Sequence, residues 1–212
     1  MTFEEIEQFF NPKNKIKEWT SLKNFEKIGE KLYRHKTYDN FTLTIKKSPA
    51  STSYTFKVDG KLGNLYKNPS EIIIFMDEIQ FGYAKNGNLY NENAPSIFQY
   101  CTTNDEFRLT KVVYTNEKGE VHKIDGPAIQ TLNSSYYFIK NHFILNRIYN
   151  EGIKMATGGP IGNHSDLIEN LIAYSEIAKF YKNDTIADYF DNMIILKKLE
   201  GSNKSIKNCW KI

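Results

Sequence analysis

The sequence predicts an α+β fold: N-terminal helices, a central antiparallel sheet of irregular hairpin repeats, and a C-terminal helical pair. Three observations carry this. Apolar and polar residues alternate from Phe41 to Val58. A pattern running from glycine to proline recurs three times between Gly63 and Pro127. From Ser165 to Leu196 apolar residues return at helical spacing. On this basis residues 1–38 form an N-terminal helical segment, 39–150 the hairpin-repeat region, 151–200 the helical pair and 201–212 a basic tail.

The chain has 212 residues, enough for one ordinary domain or a domain with a small appendage. Hydrophobic residues make up 40% and charged residues 25%, so a buried core is expected and global disorder is not. Its 14 Tyr and 14 Phe suit half-buried strands. Asn, Lys and Ile are abundant, as in chains from AT-rich genomes. Only Cys101 and Cys209 are present, which gives neither a disulfide framework nor a zinc cluster. No stretch reads as a signal peptide or a membrane span, so a soluble, cytoplasmic chain without membrane partners is expected.

Residues 2–10, TFEEIEQFF, predict a short helix. Thr2 caps it, Glu4 and Glu5 sit at its positive end, and Pro12 follows. Residues 14–35 carry a helical pattern of weaker phase, with Phe25, Ile28, Leu32 and Tyr33 on one side. Then the period changes to two. Phe41, Leu43 and Ile45 form one face, Tyr54, Phe56 and Val58 continue it, and Asp59-Gly60 marks a turn.

The middle of the chain repeats. GNLYKNPSEIIIF from Gly63, GNLYNENAPSIFQY from Gly87 and GEVHKIDGPAIQTL from Gly119 align under one another. In each, glycine supplies a positive φ at a hairpin turn. One aliphatic residue points inward (Leu65, Leu89 or Val121). A proline then fixes the chain before the next strand (Pro69, Pro95 or Pro127). A single hairpin of this kind cannot bury its own face, so neighbours must stack into a meandering sheet over residues 40–148. A degenerate fourth copy begins at YYFIKNHFI, residues 136–144.

In the third copy His122, Asp125, Gly126, Pro127, Ala128, Tyr136 and Tyr137 resemble the DGPA-type, MORN-like hairpin repeats common in phage and giant-virus proteins. The second copy keeps Asn86, Gly87, Ala94 and Pro95 but has Tyr90 for the His and Asn93 for the Gly. The first keeps little beyond Gly63 and Pro69. The resemblance covers the central segment only. It implies a β-sheet scaffold for protein contacts rather than a shared reaction.

Past the sheet, TGGPIGNH (residues 157–164) predicts a loop. Ser165 or His164 starts a helix carrying Leu167, Leu171, Tyr174, Ala178 and Tyr181 at helical spacing. Asp184 caps a second helix, which Gly201 ends. The tail carries Trp210.

Candidate chemistry is sparse. His122 and Asp125, three residues apart, are a possible general-base pair. The repeat accounts for both without catalysis, because Tyr90 replaces the His in the neighbouring copy. Gly158, Gly159, Gly162 and His164 form a glycine-rich loop ahead of a helix, where free N–H groups hold anions. It is neither a P-loop nor a dinucleotide fingerprint. The four His are not spaced as metal ligands, so no metal or cofactor is expected. Lysines interleaved with Trp19, Phe25 and Tyr33 in the N-terminal segment could track a nucleic-acid backbone. Glu18, Glu26 and Glu30 among them read instead as ordinary ion pairing on a helix surface. Residues 1–61 hold 12 basic and 8 acidic residues, 151–196 hold 3 and 7, and 197–212 hold 5 and 1, so both ends are basic.

The leading expectation is a non-enzymatic protein-interaction module of a phage or virus that binds a host or virion component. Two alternatives stand beside it. One is an enzyme acting on a phosphate-containing substrate near residues 157–166. The other is nucleic-acid binding through the basic termini.

Overall fold

The computed structural model describes residues 3–9, 12–64, 68–92, 94–103, 107–161 and 164–209, with the side chains of Glu4, Phe9 and 201–209 left aside. Thr2, Leu65, Asn93, Gly162 and Trp210 lie outside the described residues. The fold is α+β, with an antiparallel sheet and C-terminal helices. Two compact units divide it: Met1–His122 with Ala128–Ser135, and Lys123–Pro127 with Tyr136–Ile212.

The first unit is a meander. Its strands are β1 (Phe25–Lys27), β2 (Leu32–His35), β3 (Phe41–Lys47), β4 (Ser51–Val58), β5 (Lys61–Leu62), β6 (Glu71–Phe75) and β7 (Glu78–Gly82). They continue through β8 (Ala84–Lys85), β9 (Asn88–Leu89), β10 (Ile97–Cys101), β11 (Arg108–Val113) and β12 (Ile129–Thr131). The spatial order is β1-β2-β3-β4-β6-β7-β10-β11-β12, with β5 paired to β4 and β8 to β9. Alternation decides which side chains face the core. Leu43 pairs across from Phe56, Ile72 from Phe81, and Phe81 from Phe98. All five are buried, together with Phe41, Tyr100 and Leu109. Each such side chain contributes about 1.5–3 kcal/mol by leaving water.

Two short helices cover this face, α1 (Phe3–Phe9) and α2 (Ile16–Trp19). Ile6 is wholly buried in the core, and Phe3, Ile16 and Trp19 pack against it. Trp19 meets Phe81 edge to face, with ring centroids 5.6 Å apart. The Glu7 carboxylate accepts the Leu109 N–H at 3.0 Å, pinning α1 to β11.

The helical reading of 14–35 holds only for one turn. Residues 25–35 form the β1–β2 hairpin instead. Phe25 and Tyr33, spaced there as in a helix, are strand residues turned toward the aromatic core. Glu26 does pair with a base, but across the hairpin: it lies opposite Arg34 in register, with Oε1 2.7 Å from the guanidinium.

The second unit holds the hairpin of β13 (Ser135–Ile139) and β14 (His142–Ile144), then α3 (Asn146–Ala156), α4 (Ile168–Phe180) and α5 (Asp184–Cys209). The expected fourth repeat is this plain hairpin, turned at Lys140-Asn141 with φ of 50° and 66°. The helical pair has a third member, because α3 starts at Asn146 and crosses the expected 150/151 boundary. Ile148, Tyr149, Met155, Leu171, Tyr174, Ile177 and Phe190 build its core. Gly152 lets α3 and α4 approach: a Cβ there would lie 2.7 Å from Ile177 Cδ1.

Helix ends differ from expectation too. Leu167, not Ser165 or His164, precedes α4. Asn183 rather than Asp184 caps α5, its Oδ1 accepting the Ile186 N–H at 3.2 Å. Gly201 does not stop α5, which runs on to Cys209 through the residues expected to form a separate tail. A lone glycine costs a helix about 1 kcal/mol and need not end it.

Candidate functional site

The three repeats are three fingers that leave one end of the sheet. Each connects two neighbouring antiparallel strands: β4 to β6, β7 to β10, and β11 to β12. The same backbone bonds recur at each root. Phe56 N–H donates to Ser70 O, Tyr83 to Ser96, and Tyr114 to Ala128, at 2.8, 2.7 and 2.8 Å. On the return side Gly63 N–H donates to Phe56 O, Tyr90 to Tyr83, and His122 to Tyr114, at 3.1, 2.9 and 3.1 Å.

This register corrects the first repeat. The turn glycines are Gly60, Gly87 and Gly119, with φ of 75°, 94° and 79°, and Gly63 is not one of them. The shared string Gly-Asn-Leu-Tyr at 63 and 87 invites the other alignment, but it sits at different heights in the two fingers. Conformation decides the matter. Asp59-Gly60 and Asn86-Gly87 each hold two residues at positive φ and close two-residue turns, between Val58 and Lys61 and between Lys85 and Asn88. The third finger turns through three residues, Glu117 to Gly119, with Asn116 Oδ1 accepting the Lys118 and Glu120 N–H groups. Two residues past each turn glycine stands a half-buried aliphatic residue: Leu62, Leu89 and Val121.

Pro69 and Pro95 are buried, and each stands two residues before the first residue of its returning strand, as Pro127 does in sequence. Asn64 and Asn91 staple the two loops, each side-chain amide donating to the proline carbonyl at 3.1 Å. A small residue follows each proline: Ser70, Ser96 and Ala128, all almost wholly buried. That Pro-small pair was readable in the sequence and is the best marker of the finger root.

The fingers stack on one another. Gly87 N–H donates to Leu62 O at 3.1 Å, and the Asn88 amide to Glu117 O at 2.9 Å. Ser70 Oγ accepts the Ala84 N–H at 3.2 Å, and its counterpart Ser96 Oγ lies 2.9 Å from Thr115 Oγ1. Leu89 folds back over Gly82, where an added Cβ would sit 3.0 Å from Leu89 Cδ2. The result is a ladder held by backbone and short polar side chains, whose tips expose Lys61, Asn86, Asn88, Glu117 and Lys118.

A cavity of about 690 Å³ lies in the same unit. Trp19, Phe25, His35, Phe41 and Phe56 give it an aromatic floor, and Lys17, Lys23, Asn24, Asn64 and Asn68 are among its polar lining. His35 is buried and packs edge to face on Phe25 at 5.2 Å, while its Nδ1 accepts the Thr37 N–H. Nothing in the motif reading pointed to this cavity; the only signal was the run of aromatics among lysines.

His122 and Asp125 fall in different compact units. His122 holds through its backbone the position that Tyr90 and Gly63 hold in the other fingers. Asp125 is exposed, with its carboxylate 4.0 Å from Lys123 Nζ. Burial lowers the Lys123 pKa, and Asp125 partly offsets this. Gly126 lies in the same bend, where a Cβ would come 3.5 Å from Lys123 Nζ.

The glycine loop closes α3 rather than opening α4. Gly158 has a φ of 97° and donates its N–H to Met155 O, while Gly159 donates to Lys154 O at 2.8 Å. This is a Schellman cap, and it uses the two amides that an anion would need. His164 docks into the second unit: it lies edge to face with Phe190 at 5.3 Å and Tyr189 at 5.9 Å, with Nε2 3.3 Å from Met193 Sδ. Among the described residues no group of three or more His, Cys, Asp and Glu could hold a metal. Among them, too, no helix is long and apolar enough to cross a membrane. Comparison with protein-family models, with curated proteins and with solved structures gives no match for this chain.

Proposed function

We propose that the chain is a non-enzymatic protein-interaction module whose recognition surface is the finger ladder. A phage or viral accessory role, with a host or virion component as partner, follows from the likeness of the third finger to DGPA-type repeats. The observation that carries the reading is the division of labour within the fingers. The groups that recur from finger to finger are the backbone bonds at the roots, the turn glycines and the small residue after proline, and Asn88 and Thr115 add side-chain ties between neighbours. Exposed tips differ: Asp59-Gly60-Lys61, Asn86-Gly87-Asn88 and Lys118-Gly119-Glu120. A constant frame with variable outward side chains is the arrangement of a display surface, and a preformed rigid one loses little entropy on binding. Affinity capture from a bacterial lysate, with nuclease present, tests it with wild-type protein and a K61A/K118A variant. A stoichiometric protein retained by the wild type and lost by the variant supports the ladder. Equal capture by both overturns it.

A second reading has its own observation. The aromatic floor of the cavity beneath Lys17 and Lys23 suits an unpaired base with its phosphate. Binding of single-stranded oligonucleotide that falls steeply with salt would favour that reading.

A further inference from the structure

The sequence holds one Asn-Gly pair, Asn86-Gly87, and it forms the tip of the second finger. Asparagine before glycine is the pairing most open to deamidation, because glycine has no side chain to shield its nitrogen. That nitrogen gives its proton to a base in solvent and attacks the side-chain Cγ of Asn86. A C–N bond forms, closing a succinimide ring, and the side-chain nitrogen leaves as ammonia. Water then opens the ring at one of its two carbonyls. The product is an aspartyl or an isoaspartyl residue at position 86. No oxidant or reductant takes part, and water is the only co-reactant.

We propose that Asn86-Gly87 is a latent deamidation site, closed while the fingers are stacked and opened when the second finger parts from its neighbours. Two features close it. The attacking nitrogen is engaged: Gly87 N–H donates to Leu62 O of the first finger at 3.1 Å, so a carbonyl rather than water holds its proton. The Lys61 stem covers the same glycine, its Cβ 3.5 Å from where a Gly87 Cβ would stand. The second feature is conformation. Asn86 has a φ of 55°. Left-handed residues have ψ of roughly +47°, which sets Cβ nearly opposite the next nitrogen across the Cα–C bond. Ring closure needs those two atoms nearly eclipsed. The required swing of ψ breaks the turn that pairs Lys85 with Asn88. On its far side the finger is held by the Asn88 amide on Glu117 O and the Thr115 hydroxyl on Leu89 O. Reaction therefore passes through local opening, and its rate reports how often the finger leaves the ladder. Its outcome is lasting. Asn86 is exposed, so the display surface gains a negative charge. The isoaspartyl form also adds a backbone carbon to a two-residue turn, which spoils the register of the finger.

Peptide mapping by mass spectrometry, after timed incubation of the full chain at mildly alkaline pH, tests this. Deamidation at Asn86 should be at least about tenfold slower in native buffer than in unfolding urea. Gly60→Ala strains the turn that carries Leu62 and should raise the native rate severalfold. Thr115→Val frees the second finger from the third and should do the same, which keeps the test should Gly60→Ala fail to fold. Gly159→Ala weakens the second unit instead and should leave the native rate unchanged. Equal rates in native buffer and urea overturn the proposal. A rise with Gly159→Ala as large as with the ladder variants, or no rise with either ladder variant, also overturns it, since the fingers would then not be what closes the site.

Discussion

The Thr115 hydroxyl donates to the Leu89 carbonyl and so ties the third finger to the second. Thr115 is only 9% exposed, and Ser96 Oγ lies beside it with its own hydroxyl 3.1 Å from Val113 O. Removing the hydroxyl while keeping the shape strands a carbonyl in a dry place. Thr115→Val is therefore expected to lower stability by about 1–3 kcal/mol, and Thr115→Ser to recover most of it. Urea unfolding of the two variants measures this. Equal stability of Thr115→Val and the wild type would mean the fingers are not tied there.

The finger register makes a sharper prediction. Gly87→Ala forces a side chain into the left-handed region and is expected to cost about 1–2 kcal/mol. Gly60→Ala should cost a similar amount. Gly63→Ala should fall within about 0.5 kcal/mol of neutral, since a Cβ there meets nothing closer than 3.9 Å. Thermal melts rank the three. A costly Gly63→Ala beside a neutral Gly60→Ala would restore the alignment that sequence identity suggests.

In the second unit two Schellman caps differ in quality. The one after α3 uses Gly158 and Gly159. The one after α4 uses Lys182 at φ 57°, with Asn183 N–H donating to Ala178 O at 2.9 Å. Lys182→Gly should stabilise the chain by about 0.5–1 kcal/mol by relieving that backbone. Gly159→Ala should destabilise it by about 1–3 kcal/mol, because the new Cβ would lie 2.7 Å from Lys154 O. Calorimetry on both variants checks the pair of signs.

Alkaline pH should weaken both units. Burial pushes the phenol of Tyr83 up to about 12, and burial followed by the hydrogen bond to Glu151 does the same to Tyr174. These groups are harder to ionise folded than unfolded. Their contribution is full below about pH 10, where an unfolded tyrosine starts to ionise, and is lost as pH rises through about 12. Stability measured by urea from pH 9 to 12 should fall across that window, and Tyr83→Phe should make the fall shallower. An unchanged slope in Tyr83→Phe would show that its phenol is not held neutral by the fold.

Much of the sheet was legible because it obeys a period of two. Phe41, Leu43 and Phe56 face the core as alternation requires, and Asp59-Gly60 turns where Asp-Gly should. The β1–β2 hairpin was not legible. Its three- and four-residue strands are too short for alternation to show, and Phe25, Ile28 and Leu32 are spaced as on a helix by coincidence. Helix α3 was hidden by its apolar neighbours in β13 and β14, which run into it with one residue between. The glycine loop misled for a different reason: glycines that end a helix and glycines that cradle an anion look alike in sequence, and only the partners of the Gly158 and Gly159 amides separate them. The finger ladder was half legible. The prolines and two of the three turn glycines were in place, but long-range bonds such as Gly87 to Leu62 leave no trace in a linear pattern.

The most direct test of the interaction reading is affinity capture of tagged protein from a bacterial lysate with and without nuclease, read by mass spectrometry. The account predicts a stoichiometric protein partner that survives nuclease. A partner that vanishes with nuclease, or no protein partner at all, would contradict it.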